Sequence, residues 1–172
     1  MRSMIAAALM LGTIGQAAAI ECPITHALYQ QEGGDWTMRF RPVPEDGAAN
    51  QIAAFTLTMP GAPETVFDGG IYIPNGFGQT HGDIRRDPAD SEPFWEGVVY
   101  ALVDGRITEF PFDPERSRDV PMSPQQILLP LFASTVWYSG LRDSEFTERA
   151  ALDTATLETF TLDAFKLATC VK

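Results

Sequence analysis

The chain is poor in the residues from which catalytic sites are usually assembled. In 172 residues it has two histidines, His26 and His81, two cysteines, Cys22 and Cys170, and two lysines, Lys166 and Lys172. It contains no G-x-S-x-G nucleophile elbow and no H-E-x-x-H metal pair, and its cysteines are too far apart for a C-x-x-C dithiol. Positive charge is scarce as well, with 12 Lys+Arg against 23 Asp+Glu and a net charge of -11. Such a balance repels nucleic acid and anionic lipid head groups and favours a basic partner. The apolar stretch Met4 to Ile14 and the apolar-rich run after Ser123 both fall short of the ~20 residues that span a bilayer. No internal repeat and no low-complexity segment is present.

What is present begins with an export signal. Arg2 supplies a positive n-region, Met4 to Ile14 an apolar core, and Ala17-Ala18-Ala19 the small-residue pattern at which signal peptidase cuts. The alternative, a buried N-terminal helix, is disfavoured because Ile20-Glu21-Cys22-Pro23 breaks the pattern without capping it. Glu21 stands where a lipid-modified cysteine needs a small residue. Residues 1–19 are therefore expected to be removed, leaving 20–172 with no integral membrane segment, in the periplasm or secreted. Arg2 is lost and no acid goes with it, so 11 Lys+Arg face 23 Asp+Glu and the net charge becomes -12.

In an oxidising compartment Cys22 and Cys170 most economically form one disulfide that closes nearly the whole mature chain. Closing so long a loop stabilises the fold by about 5 kcal/mol in the chain-entropy picture. The first and last ordered segments must then be neighbours, with Cα atoms about 4.4–6.8 Å apart. The remaining length fits a single domain.

The mature sequence is punctuated by Gly, Pro, Asn and Asp, and the pieces between are rich in β-branched and aromatic residues. Strands are predicted over Ala27 to Gln31 and over Trp36 to Arg41, where Trp36, Met38 and Phe40 alternate with polar residues. Phe55, Leu57 and Met59 repeat that alternation until Pro60-Gly61. Val66-Phe67 and Ile71 to Ile73 read as two short pieces around Gly69-Gly70. Val98 to Val103 and Arg106 to Phe110 form a hairpin around Asp104-Gly105, the residue pair a type I′ turn demands.

One helix interrupts the pattern. Ser123-Pro124-Gln125-Gln126 reads as a capping box, followed by Leu128, Leu131, Phe132, Thr135 and Val136 on one helical face, with a kink at Pro130 and an end at Gly140. Leu141 to Ala155 carries little pattern beyond a short helix expected to open at Ser144, and Glu158 to Cys170 reads as one or two final strands. The expected fold class is mainly β (or α+β): an antiparallel sandwich or barrel-like sheet with one helix around 124–139.

Several stretches invite a functional reading. GFGQTHG, with Gly76, Gly78 and Gly82, follows the apolar Ile71-Tyr72-Ile73 as a dinucleotide-binding turn would. A helix must then begin at once, and Asp83 to Pro88 leaves no room for one, so no cofactor is expected. Asp83, Asp87, Asp90 and Glu92 with His81 offer oxygens for calcium, but not at EF-hand spacing, and the histidines are not at zinc spacing; no metal is expected. Glu92 and Glu96 flank Phe94-Trp95 as a sugar-cleaving acid pair would, although in so acidic a chain such proximity arises by chance. His26 reads as a surface or half-buried strand residue.

The leading expectation is an exported, non-catalytic binding or inhibitor-like domain of a bacterial cell envelope. It would meet an envelope protein or small ligand through a mobile loop from Pro74 to Pro93, with Tyr72, Phe77, His81, Asp83 and Trp95 as contact residues and an apolar patch near Tyr72, Phe77 and Phe94. The alternative is a hydrolase using His81 with nearby acidic residues.

Overall fold

The computed structural model describes residues 22–59, 62–75, 78–111, 120–138 and 163–171. The expected export signal, Pro60-Gly61, Phe77, Gly140 and the helix expected from Ser144 lie outside the described residues. Ten strands form one antiparallel sheet: β1 (Ala27–Gln31), β2 (Thr37–Arg41), β3 (Gln51–Met59), β4 (Ala62–Tyr72), β5 (His81–Arg85), β6 (Trp95–Val98), β7 (Tyr100–Val103), β8 (Arg106–Glu109), β9 (Gln126–Leu128) and β10 (Ala164–Cys170). A 3-10 turn (Ile24–His26) precedes β1, and α1 (Phe132–Tyr138) lies between β9 and β10.

The order across the sheet is β6-β5-β4-β3-β2-β1-β10-β9-β7-β8. β6 and β7 lie toward opposite ends of that order, yet only Val99 separates them in the chain. The sheet therefore has to curl, and it forms a half-barrel whose two ends are joined by backbone at Val99. Val99 is buried and its N–H donates to Thr80 O at 3.0 Å, which holds the junction against the start of β5.

Alternation supplies the inner face. Met38 and Phe40 of β2, Phe55 and Leu57 of β3, Phe67 and Ile71 of β4, Ile84 of β5, Ile127 of β9 and Phe165 of β10 are all buried. Their aromatic rings interlock: Trp36 meets Phe132 edge-on at 5.4 Å between centroids, Phe132 meets Phe165 at 5.6 Å, and Phe40 meets Phe55 at 5.3 Å. Each such pair is worth about 0.5–1.5 kcal/mol beyond the area it buries. The interior is thus filled with side chains, and α1 brings Phe132 and Val136 into it.

Cys22 and Cys170 form the expected disulfide, with Cα atoms 5.6 Å apart across 148 residues of sequence. β10 pairs with β1 on one side and β9 on the other, so the chain's last strand holds the two parts of the sheet together. No helix among the described residues is long and apolar enough to cross a membrane.

The antiparallel β-rich, barrel-like class is as expected, and so is the hairpin turn, where Asp104 and Gly105 take φ of 50° and 72°. Three local expectations are corrected. Val66-Phe67 and Ile71 to Ile73 are not separate pieces, because β4 runs unbroken to Tyr72 through Gly69-Gly70. The Phe55 ring fills the place a side chain on Gly69 would take, so this glycine serves close packing instead of a turn. The helix expected from 124 begins only at Phe132, because Gln126–Leu128 is claimed as a strand by β7 and β10 on either side. Its cap is not the Ser123 box: both oxygens of the Asp163 carboxylate accept from the N–H groups of Leu131 and Ala133, at 2.9 Å each. Finally, the Pro74 to Pro93 segment is not one long loop, since His81–Arg85 inside it is strand β5.

Candidate functional site

The candidate residues divide between the two faces of the sheet. Along β5 the sequence His81-Gly82-Asp83-Ile84-Arg85 buries Gly82 and Ile84 and leaves His81, Asp83 and Arg85 half-buried on the outer wall. Tyr72 lies directly opposite His81, and Gly70 opposite Asp83. The imidazole and phenol rings stack at 5.6 Å between centroids and 25° between planes. The Tyr72 ring crosses the space above Gly70 that a side chain there would occupy. Its hydroxyl is thereby turned toward the Asp83 carboxylate, close enough to feel its charge. Burial first, and then the charge of Asp83, push the phenol up to about 12.

Asp83 has a charged partner. Its Oδ2 accepts from Arg85 Nε at 3.0 Å and from Arg85 Nη2 at 2.7 Å, and Arg85 also donates to the carbonyl of Asp90. Farther along the same wall Arg41 pairs with Asp68 at 2.7 Å. The acids of the following turn are used by backbone: Asp87 accepts from the N–H of Ala89, and Asp90 from the N–H of Asp87. These carboxylates shape the β5–β6 connection, and no cluster of three or more metal-ligating side chains occurs among the described residues.

Trp95 belongs elsewhere. It pairs with Ile84 on the inner face, is buried, and donates its indole N–H to Pro130 O at 3.1 Å. Glu96 follows it on an exposed outer position, so a sugar lying on the Trp95 ring could not reach that carboxylate. Phe94 packs on Phe67 inside, with Arg86 over its ring. The expected apolar patch uniting Tyr72 with Phe94 is therefore absent among the described residues. His26 is exposed at the end of the 3-10 turn and bonds through Nδ1 to Val171 O at 2.9 Å, which makes it a clasp on the chain's C-terminal end. Gly82 sits mid-strand, where the Val99 side chain and the Gly70 carbonyl crowd its Cα, so its role in GFGQTHG is packing and not a phosphate cradle.

What the wall can do chemically follows from these commitments. A general base needs an orienting partner and a nucleophile in reach. Among the described residues His81 has the Tyr72 ring beside it, while Asp83, the acid two residues on, is held by Arg85. The arrangement presents instead a half-exposed aromatic pair beside fixed ion pairs. No family model, curated protein or solved structure matches this chain. Sequence reasoning had singled out Tyr72, His81 and Asp83 but missed Arg85, Arg41 and Asp68; the polar-apolar alternation from His81 to Arg85 was the signal that could have linked the first of these to the site. An open groove of about 310 Å³ lies over the β1–β10 seam, away from this wall, and is lined by Gln30, Gln31, Glu32, Lys166, Leu167 and Ala168.

Proposed function

We propose that this protein is an exported, non-catalytic binding domain of a bacterial cell envelope that meets a protein or small ligand on the outer wall around Tyr72 and His81. The observation that carries the reading is the pairing of Asp83 with Arg85 beside a pre-positioned Tyr72–His81 stack, which favours a contact surface over a His81-based hydrolase. Rigid aromatic rings are favoured contact groups because they offer large area at little conformational cost. The Cys22–Cys170 disulfide supports an oxidising, extracytoplasmic setting. The acidic chain would speed encounter with a basic partner.

The test is capture of partners from an envelope extract by immobilised, oxidised residues 20–172, with and without reductant and chelator. His81→Ala and Tyr72→Ala should each reduce capture at least about tenfold, a loss of about 1.4 kcal/mol of binding free energy. Absence of any captured partner, or capture indifferent to both substitutions, would remove the reading.

A further inference from the structure

The far end of the strand order carries a surface that the Tyr72 wall does not explain. β8 is the last strand of the sheet, all four of its residues are exposed, and no described strand lies beyond it. Its free backbone groups can be assigned from bonds two strands away. Leu129 N–H donates to Asp163 O and Leu167 N–H to Gln125 O, so the odd-numbered residues of β9 face β10. Antiparallel neighbours alternate the direction of their backbone groups, so Gln126 and Leu128 face Leu102 and Tyr100 of β7. Ala101 and Val103 must then face Thr108 and Arg106 of β8. Ile107 and Glu109 are left with N–H and C=O directed at the open edge.

Their side chains share the outer face. Ile107 is 64% exposed and stands beside half-buried Leu102, while Glu109 stands beside Tyr100. Across the hairpin, Val103 is 40% exposed on the other face. An unpaired edge flanked by apolar side chains is a template for an added strand. A second copy of this chain is a poor occupant. Two such short edges bury far less than the roughly 1,200 Å² of a stable interface, and each copy carries a net charge of -11.

We infer that β8 is a strand-addition site for an extended, basic segment of a partner protein. The segment places an apolar residue opposite Ile107 and a cation opposite Glu109, two positions apart on the same face. The inference goes beyond the Tyr72 wall and does not depend on it.

The probe is a capped heptapeptide whose alternate positions carry lysine, valine and lysine with threonine between them (Thr-Lys-Thr-Val-Thr-Lys-Thr), so that valine and lysine stand two positions apart on one face, compared with its counterpart in which glutamate replaces lysine. With the oxidised mature chain, the lysine peptide should slow amide exchange at Ile107 and Glu109 and leave Arg106 and Thr108, already bonded within the hairpin, unchanged. Ile107→Pro removes an N–H that points outward, a placement an edge strand tolerates, and should weaken peptide binding at least tenfold. Glu109→Lys keeps the backbone and should reverse the preference toward the glutamate peptide, which provides a test even if the proline variant misfolds. Failure of the lysine peptide to bind, protection located elsewhere, or an unchanged preference in Glu109→Lys would overturn the inference. Loss of partner capture in His81→Ala with peptide binding intact would leave it standing.

Discussion

The strands β1 to β6 and the strands β7 to β10 are built on different principles. The first six pair in chain order, each with the one before it, so every contact is a hairpin closed by a local turn. Of the last four only β7 and β8 pair locally, through the Asp104-Gly105 turn; β9 joins β7 across the 103-to-126 gap, and β10 returns from beyond α1 to wedge between β9 and β1. Local pairings fix register with little loop-closure cost, whereas long-range ones must be held by something else. Here that something is the disulfide, the Asp163 cap and the bond from Tyr29 Oη to Pro124 O at 2.9 Å.

Removing the disulfide should produce the largest separation between the two regions. Cys22→Ser with Cys170→Ser is expected to lower unfolding free energy by up to about 5 kcal/mol in urea titration. Amide exchange should then accelerate first in β9 and β10, with β3 and β4 still protected. Equal acceleration throughout would show that the meander does not hold by itself.

The same contrast explains what could be read from the sequence. Trp36, Met38, Phe40, Phe55, Leu57 and Met59 alternate cleanly because β2 and β3 have one buried face each. Asp104-Gly105 announces its own turn. Gln126 to Leu128 gave the wrong period because a three-residue strand between two partners has no room to show alternation, and its neighbours Leu131, Phe132 and Val136 do fall at helical spacing. His81 to Arg85 was hidden by the glycines and prolines on either side, although its polar residues alternate with Gly82 and Ile84. Of the site, Tyr72, His81 and Asp83 were legible as chemistry-bearing residues. That Trp95 faces the other way was not, since the side of a strand a residue takes depends on register set by β4 and β5.

Within the meander, packing at Gly69 offers the next effect. A methyl group there would collide with the Phe55 ring, so Gly69→Ala should destabilise by about 1–3 kcal/mol, the usual cost of overpacking a dense core. A smaller companion change, Phe55→Leu, should recover part of the loss in the double variant. Full additivity of the two would mean the ring and the glycine are not coupled.

Among the described residues, the non-local region stores strain that the meander lacks. Leu131 holds φ at 64° while 69% exposed, a left-handed conformation that a branched side chain disfavours. It is kept there because its N–H must reach Asp163 and its carbonyl must accept the first helical bond, from Thr135 N–H at 2.9 Å. Leu131→Gly should therefore stabilise by about 1 kcal/mol, visible as a raised thermal midpoint. Asp163→Ala should cancel that gain, because without the cap nothing holds residue 131 in this conformation.

The smallest effect is a titration that reports on both regions at once. Tyr72 lies in the meander and Tyr29 at its seam with the rest of the sheet, and burial raises both phenols above their ordinary value of 10.0, Tyr72 to about 12. A raised value means that the folded protein holds the proton more tightly than the unfolded chain does. The stability these groups contribute is thus complete below about pH 10 and is lost as pH climbs toward 12. Phenolate absorbance should show Tyr72 ionising before Tyr29, and Tyr29 only as the sheet opens at its seam. Tyr72→Phe should flatten the decline of stability between about pH 10 and pH 12, while Tyr29→Phe should shift the pH at which β1 separates from the Pro124 segment. If Tyr29 and Tyr72 ionised together, the seam and the meander would be opening as a single unit, and the division between locally paired and distantly paired strands would have no energetic counterpart.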